Sequence, residues 1–156
     1  KVGNAITTPK PHFLGDLRSV AYGNGMYIIG GTNLSANSEM GSGYYSFHPS
    51  LITSTDGVNW TERADVAEGE SNGLQVPAVL SFDQLLFANG AWVALCSQKS
   101  GAAVAGALFT SYDGIHWAER TPPNLTYGFY GVAFGNGRLV MVGGSGLGAL
   151  VLASTS

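Results

Sequence analysis

Two types of turn alternate along this chain and limit the folds open to it. Three segments share one plan: an apolar run, an Asn-Gly pair, then a second apolar run. They are Ser19–Gly31, Leu86–Leu95 and Gly131–Gly144, with the Asn-Gly pairs at 24–25, 89–90 and 136–137. Asn-Gly between apolar runs predicts a hairpin, because a type I′ turn needs φ > 0 at both central residues. A second plan occurs twice, as Leu51-Ile-Thr-Ser-Thr-Asp-Gly-Val-Asn-Trp-Thr-Glu-Arg63 and Leu108-Phe-Thr-Ser-Tyr-Asp-Gly-Ile-His-Trp-Ala-Glu-Arg120. These segments read as hairpins on an Asp-Gly turn.

The two plans alternate, so one module is two hairpins, or four strands. Asn24 to Asn89 spans 65 residues and Asn89 to Asn136 spans 47, near the roughly 40–50 residues of a propeller blade. No stretch long enough for a helix keeps a 3.6-residue apolar period. The expected fold is all-β: propeller blades of four antiparallel strands, about three blades per chain. The whole chain, 1–156, reads as a single propeller unit with blade repeats at about 14–64, 79–121 and 129–156.

The third module lacks its Asp-Gly turn. Shifting the N-terminus by 112 residues aligns Asn24 with Asn136, Val20 with Val132, Pro11 with Pro123 and Lys1 with Asp113. Residues 1–10 are therefore expected to supply the fourth strand of the last blade type. Three blades do not close a ring of the usual four to eight. The expectation is a homo-oligomer, a dimer giving six blades, with a longer parent polypeptide or another oligomer as the alternative.

Composition narrows the partners. The net charge is -3 with seven Lys+Arg and no basic run, which argues against nucleic acid and against a membrane surface. No apolar run reaches the ~18 residues of a membrane span, and the polar start KVGNAITTPK is not a signal peptide by pattern. Charged residues are 11%, against roughly 25% in ordinary soluble domains; with many Ser, Thr and Gly this suggests a secreted or virion-surface location. The single cysteine, Cys96, excludes an internal disulfide framework. It alternates with Trp92 and Ala94 and reads as a small buried hydrophobe.

The Ser-x-Asp-Gly-x-x-Trp of residues 54–60 and 111–117 resembles the Asp-box, or BNR-like, repeat of sialidase-type propellers, as carried by many secreted bacterial and phage-borne proteins. The resemblance covers about two thirds of the chain. It departs from the pattern in one respect, since Gly57 and Gly114 follow Asp56 and Asp113 directly. It implies a propeller in which these turns serve folding. Asp can hydrogen-bond its own turn backbone, and Gly supplies φ > 0.

No catalytic constellation emerges. Sialidases of the resembled family use three arginines, and here Arg63 and Arg120 share one repeat position while Arg138 follows an Asn-Gly turn. Glycoside hydrolysis needs two facing carboxylates, yet Asp56, Asp113, Glu62, Glu119 and Asp83 sit at repeat or strand-flanking positions. Gly144-Ser-Gly-Leu-Gly-Ala149 matches a dinucleotide fingerprint, but no helix follows it. His12, His48 and His116 share no metal-ligand spacing. No cofactor and no metal are expected.

Two groups of residues remain as candidates for ligand binding. Trp60, Glu62 and Arg63 recur as Trp117, Glu119 and Arg120, and a stacking ring beside bidentate polar groups suits sugar recognition. Fucose-type propeller lectins use the same three residue types. The third copy, at offset 112, has Ala5, Thr7 and Thr8 instead. The second group is the stretch 31–49, read as a long loop carrying Tyr44, Tyr45, Phe47 and His48. The reading from sequence is a non-enzymatic propeller that binds a glycan or other cell-surface ligand, for carbohydrate recognition or host attachment. The alternatives are a structural or protein-interaction module and, behind it, a glycoside hydrolase.

Overall fold

The computed structural model describes residues 16–36, 45–63, 79–100, 103–123, 126–145 and 148–154. All regular structure in them is β: β1 (Leu17–Gly23), β2 (Met26–Ala36), β3 (Tyr45–Ser54), β4 (Thr61–Glu62), β5 (Val79–Ala88), β6 (Ala91–Ser100), β7 (Ala103–Ser111), β8 (Ala118–Glu119), β9 (Gly128–Gly135), β10 (Arg138–Ser145) and β11 (Gly148–Ala153). They form three antiparallel sheets with the orders β1-β2-β3-β4, β5-β6-β7-β8 and β9-β10-β11. The four-stranded module read from the sequence is thus a propeller blade, present twice in full. The fourth strand expected from residues 1–10 lies outside the described residues.

The Asn-Gly turns are built as their chemistry requires. Asn24, Asn89 and Asn136 have φ of 47°, 51° and 49°, and the glycines after them 75°, 77° and 74°. Both central residues are left-handed, the twist that lets antiparallel strands continue without splaying.

The Asp-Gly turns work differently from the expected two-residue hairpins. Only the glycines, Gly57 and Gly114, have positive φ, and residues 55–60 loop out between β3 and β4. Asp56 Oδ1 accepts the amides of Val58 (2.8 Å) and Asn59 (2.7 Å) and the Ser54 hydroxyl (2.9 Å). Asp113 repeats this with Ile115, His116 and Ser111. These donors hold the Asp56 carboxyl well below the usual carboxylate range, its largest causes being the Asn59 amide and side chain. The turn is stapled by a side chain, not by the strand ladder.

Within the stretch 31–49, residues 31–36 and 45–49 are strand and not loop; residues 37–44 lie outside the described residues. β2 runs on to Ala36 and β3 starts at Tyr45, with Asn33 opposite His48, Leu34 opposite Phe47 and Ala36 opposite Tyr45. This two-stranded arm extends beyond the rest of its blade. The Ser-, Asn- and Gly-rich sequence conceals it, because the arm is held by backbone pairing between its two consecutive strands and not by local propensity.

The blades stack face to face around two cores. Ile28 and Leu51 of the first blade meet Phe82, Leu85, Trp92, Ala94, Cys96, Ala107 and Phe109 of the second. Val93, Leu95 and Leu108, on the second blade's other face, meet Phe129 and Met141 of the third. Each such large apolar side chain contributes about 1.5–3 kcal/mol by leaving water. Cys96 sits in the first core as expected, and burial pushes its thiol up, with the Asp83 charge adding to the effect. The first strands of the blades also touch one another, β1 against β5 and β5 against β9. The two-residue β4 and β8 lie at the far edges. β1, β5 and β9 are therefore the inner strands, those nearest the propeller axis.

Candidate functional site

Each inner strand carries a bulge at the same height. In β1, Leu17 pairs with Gly31 and Ser19 with Gly30, so Arg18 is the extra residue. In β5, Phe82 pairs with Cys96 and Gln84 with Leu95, leaving Asp83. In β9, Phe129 pairs with Gly143 and Gly131 with Val142, leaving Tyr130. Arg18, Asp83 and Tyr130 all stand six residues before the Asn of their module's Asn-Gly turn. A bulge bends the strand and re-aims the extra side chain. Repetition at one register position makes it a property of the fold.

The bulges leave a sequence trace. Strand residues on one face should be two apart, but Phe82 and Leu85 share one core, and Phe129 and Val132 share the other, each pair three apart. Leu17 and Val20 have the same spacing in the first module. This apolar-x-x-apolar interruption was the available signal. Without it Asp83 looks like a strand-flanking acid and Arg18 like an isolated cation.

The bulge residues and their neighbours tie the three inner strands together. Arg18 Nη1 lies 2.8 Å from Asp83 Oδ1, across the first blade junction. Asp83 also accepts the hydroxyls of Ser81 and Ser97, so this half-buried carboxylate is fixed by three donors. Ser19 Oγ accepts the Leu85 amide at 2.9 Å. At the second junction, Gln84 Nε2 donates to the Tyr130 carbonyl (2.8 Å) and its Oε1 accepts the Val132 amide (3.1 Å). The Tyr130 ring is exposed. Asp16, also exposed, stands directly before β1, with its backbone held to Thr32 by bonds of 2.9 and 3.3 Å. The inner end of the sheets thus presents a positioned carboxylate, a guanidinium, a second acid and an open aromatic ring.

The residues singled out from sequence lie elsewhere. Glu62 is on β4 and Glu119 on β8, with Arg63 and Arg120 directly after them; Glu62, Glu119 and Arg120 are exposed at the outer edge. Arg63 Nε donates to Thr53 Oγ1 at 3.0 Å. Trp117 is half-buried beside Phe82, ring centroids 5.8 Å apart, and packs against the first core. Trp60 is 6.4 Å from the Tyr27 ring. Glu62, Arg63, Glu119 and Arg120 stay on or directly after the outermost strands, whereas the Trp117 ring reaches Phe82 on the inner strand β5. Tyr44 lies outside the described residues. Tyr45, Phe47 and His48 are placed only by their register in the arm.

No family model matches the chain, and no curated protein matches its sequence. Solved structures do match its shape. A structure from the GH130 family of mannoside phosphorylases, described as containing glycoside hydrolases that target β-1,2 mannosidic linkages in Candida mannan, has a TM-score of 0.60 at 14% identity, over 83% of this chain and 43% of its own. A glycosyl hydrolase from Bacteroides ovatus has a TM-score of 0.56 at 17% identity, over 83% and 43%. A family 117 glycoside hydrolase from the marine bacterium Zobellia galactanivorans has a TM-score of 0.53 at 17% identity, over 97% and 50%. What these likenesses share with the chain is the propeller fold. The chain spans half or less of the length of each of them.

These neighbours correct the functional expectation drawn from the sequence. A non-enzymatic binding or attachment propeller was expected, and the structures that share the fold are glycoside hydrolases and phosphorylases. Asp83 was set aside with the acids at repeat or strand-flanking positions, whereas the fold fixes its carboxylate at the inner strands.

Proposed function

We propose that this chain forms part of a propeller enzyme of the glycoside hydrolase type, with the sugar bound where the inner strands bulge. The observation that carries this reading is the repeated bulge, which sets Arg18, Asp83 and Tyr130 at one register position on β1, β5 and β9. Asp83, the sole acid within these three strands, serves as the carboxyl that exchanges a proton with the glycosidic oxygen or its attacking water. Arg18, 2.8 Å away, acts as a positioning residue that fixes this carboxyl. The exposed Tyr130 offers a ring face to the apolar side of a pyranose. Glycoside cleavage uses a second carboxylate, and Asp16 takes that place in this reading. The two Asp-Gly turns, where the Asp-box resemblance rests, serve the fold at the outer edge.

The GH130-type neighbour makes a β-1,2-linked mannoside the first substrate to try, followed by other disaccharides and aryl glycosides, with and without inorganic phosphate. The expected result is release of reducing sugar or sugar phosphate by the wild type. Asp83→Asn should lower it by about 10²–10⁴-fold, the usual weight of a general acid or base. Undiminished turnover by a folded Asp83→Asn protein would remove Asp83 from the chemistry. Absence of turnover across the whole panel would remove the enzymatic reading.

A further inference from the structure

The repeat gives every blade two distinct faces, and at each end of the chain one of them is uncovered. The face that meets the preceding blade carries Phe82, Leu85, Trp92 and Ala94 in the second blade and Phe129, Val132, Leu139 and Met141 in the third. The same repeat positions in the first blade are Leu17, Val20, Tyr27 and Ile29, and Tyr22 matches Phe87 and Phe134. Phe82, Trp92 and Ala94 are at most 2% exposed, whereas Leu17, Val20 and Tyr22 are 51%, 61% and 58% exposed. Leu17, Arg18, Ser19, Val20 and Ile29 line a shallow groove on this face.

The opposite face behaves in the same way. Ile28 and Leu51 in the first blade, and Val93, Leu95 and Leu108 in the second, are at most 8% exposed. Their counterparts in the third blade are Val140, Val142 and Val151, exposed by 39%, 45% and 68%. One uncovered face is therefore bulky and partly aromatic, and the other is built of small and β-branched residues. They are the two halves of the junction that the chain already makes twice within itself.

We propose that these two faces bind each other between two copies of this chain, head to tail, so that six blades close a ring. A second copy is the occupant the observations favour, because it brings both complementary faces at once and leaves neither uncovered. An interface between unlike faces closes when the rotation per chain completes a circle. Two copies of three blades fall within the usual four to eight. The interaction does not depend on the enzymatic reading.

The test is the mass of the 156-residue chain in solution by light scattering, for the wild type and for Tyr22→Glu and Val142→Glu. The wild type should have twice the 16.2 kDa chain mass. Each variant should have the mass of one chain with an unchanged far-UV circular dichroism spectrum, since both side chains are exposed within a single chain. If either variant fails to fold, Val20→Lys and Val140→Lys replace it on the same faces. A wild type of single-chain mass overturns the proposal and points to further blades in a longer polypeptide as the cover. Loss of the dimer through only one of the two faces would mean that like faces pair, and overturns it too. A mass above two chains would show an open array, contrary to closure.

Discussion

Replacing Asp83 by alanine removes the acceptor on which the first blade junction converges. The carboxylate holds the Ser81 and Ser97 hydroxyls and the Arg18 guanidinium. Ser81 is buried, and a buried hydroxyl that loses its partner costs about 1–3 kcal/mol. Ser97 is half-buried and regains some solvation from water. The Arg18 pair has side-chain exposures of 45% and 20%, so its own share is about 0.2–1 kcal/mol. Together these give a loss of about 2–4 kcal/mol for Asp83→Ala, against less than about 1 kcal/mol for Arg18→Ala. Chemical denaturation followed by tryptophan fluorescence reads both values, with the denaturant slope checked for constancy. The double variant should be additive to within about 1 kcal/mol, because the exposed ion pair is the smaller part. A loss below about 1 kcal/mol for Asp83→Ala would show instead that the serines need no carboxylate. Equal losses for Asp83→Ala and Arg18→Ala would make the ion pair the whole junction, contrary to these values.

Two further outcomes follow from the junctions and turns. A Cβ at Gly106 would lie 2.6 Å from the Phe129 ring and 2.8 Å from the Phe129 nitrogen. The neighbouring Gly106 amide donates to the Tyr127 carbonyl at 2.8 Å, so Gly106→Ala should cost about 1–3 kcal/mol by forcing the second and third blades apart; an unchanged melting temperature would count against the tight approach of these blades. The Asp113 carboxyl is held well below the usual carboxylate range, first by the His116 side chain and then by the amides of His116 and Ile115. A carboxyl depressed on folding stabilises the protein above its unfolded value of about 3.9 and loses that contribution as pH falls below it. The stability difference between wild type and Asp113→Asn should therefore shrink between about pH 6 and about pH 2.5, as read by urea midpoints; a constant difference would contradict the staple.

Strand content and blade order were legible because the turns announce themselves: Asn24, Asn89 and Asn136 have the left-handed backbone that Asn-Gly implies. The Asp-Gly turns were legible in position but not in geometry. A staple from Asp56 Oδ1 to the Val58 and Asn59 amides and a two-residue hairpin draw on the same residue types. The arm formed by β2 and β3 was hidden by its polar composition, since Ser35 and Ser46 pair through backbone and not through apolar alternation. The inner-strand site was hidden for a different reason. A bulge adds one residue and shifts the alternation, so Asp83 changes from strand edge to axial position only when Phe82 and Leu85 are seen to share a core. The partners of Asp83 come from three separate strands, Arg18 on β1, Ser97 on β6 and Ser81 beside it on β5, a convergence that no local pattern encodes.

In the proposed reading the inner-strand bulges, and not the outer Trp-x-Glu-Arg positions, form the sugar-contacting site. Amide chemical-shift mapping with methyl hexosides and pentosides at millimolar concentration decides between the two places. The predicted result is a perturbed set confined to residues 16–19, 82–85 and 129–132, abolished when Tyr130 is replaced by alanine. Perturbations confined to residues 60–63 and 117–120, with the amides of Arg18, Asp83 and Tyr130 unmoved, would contradict it.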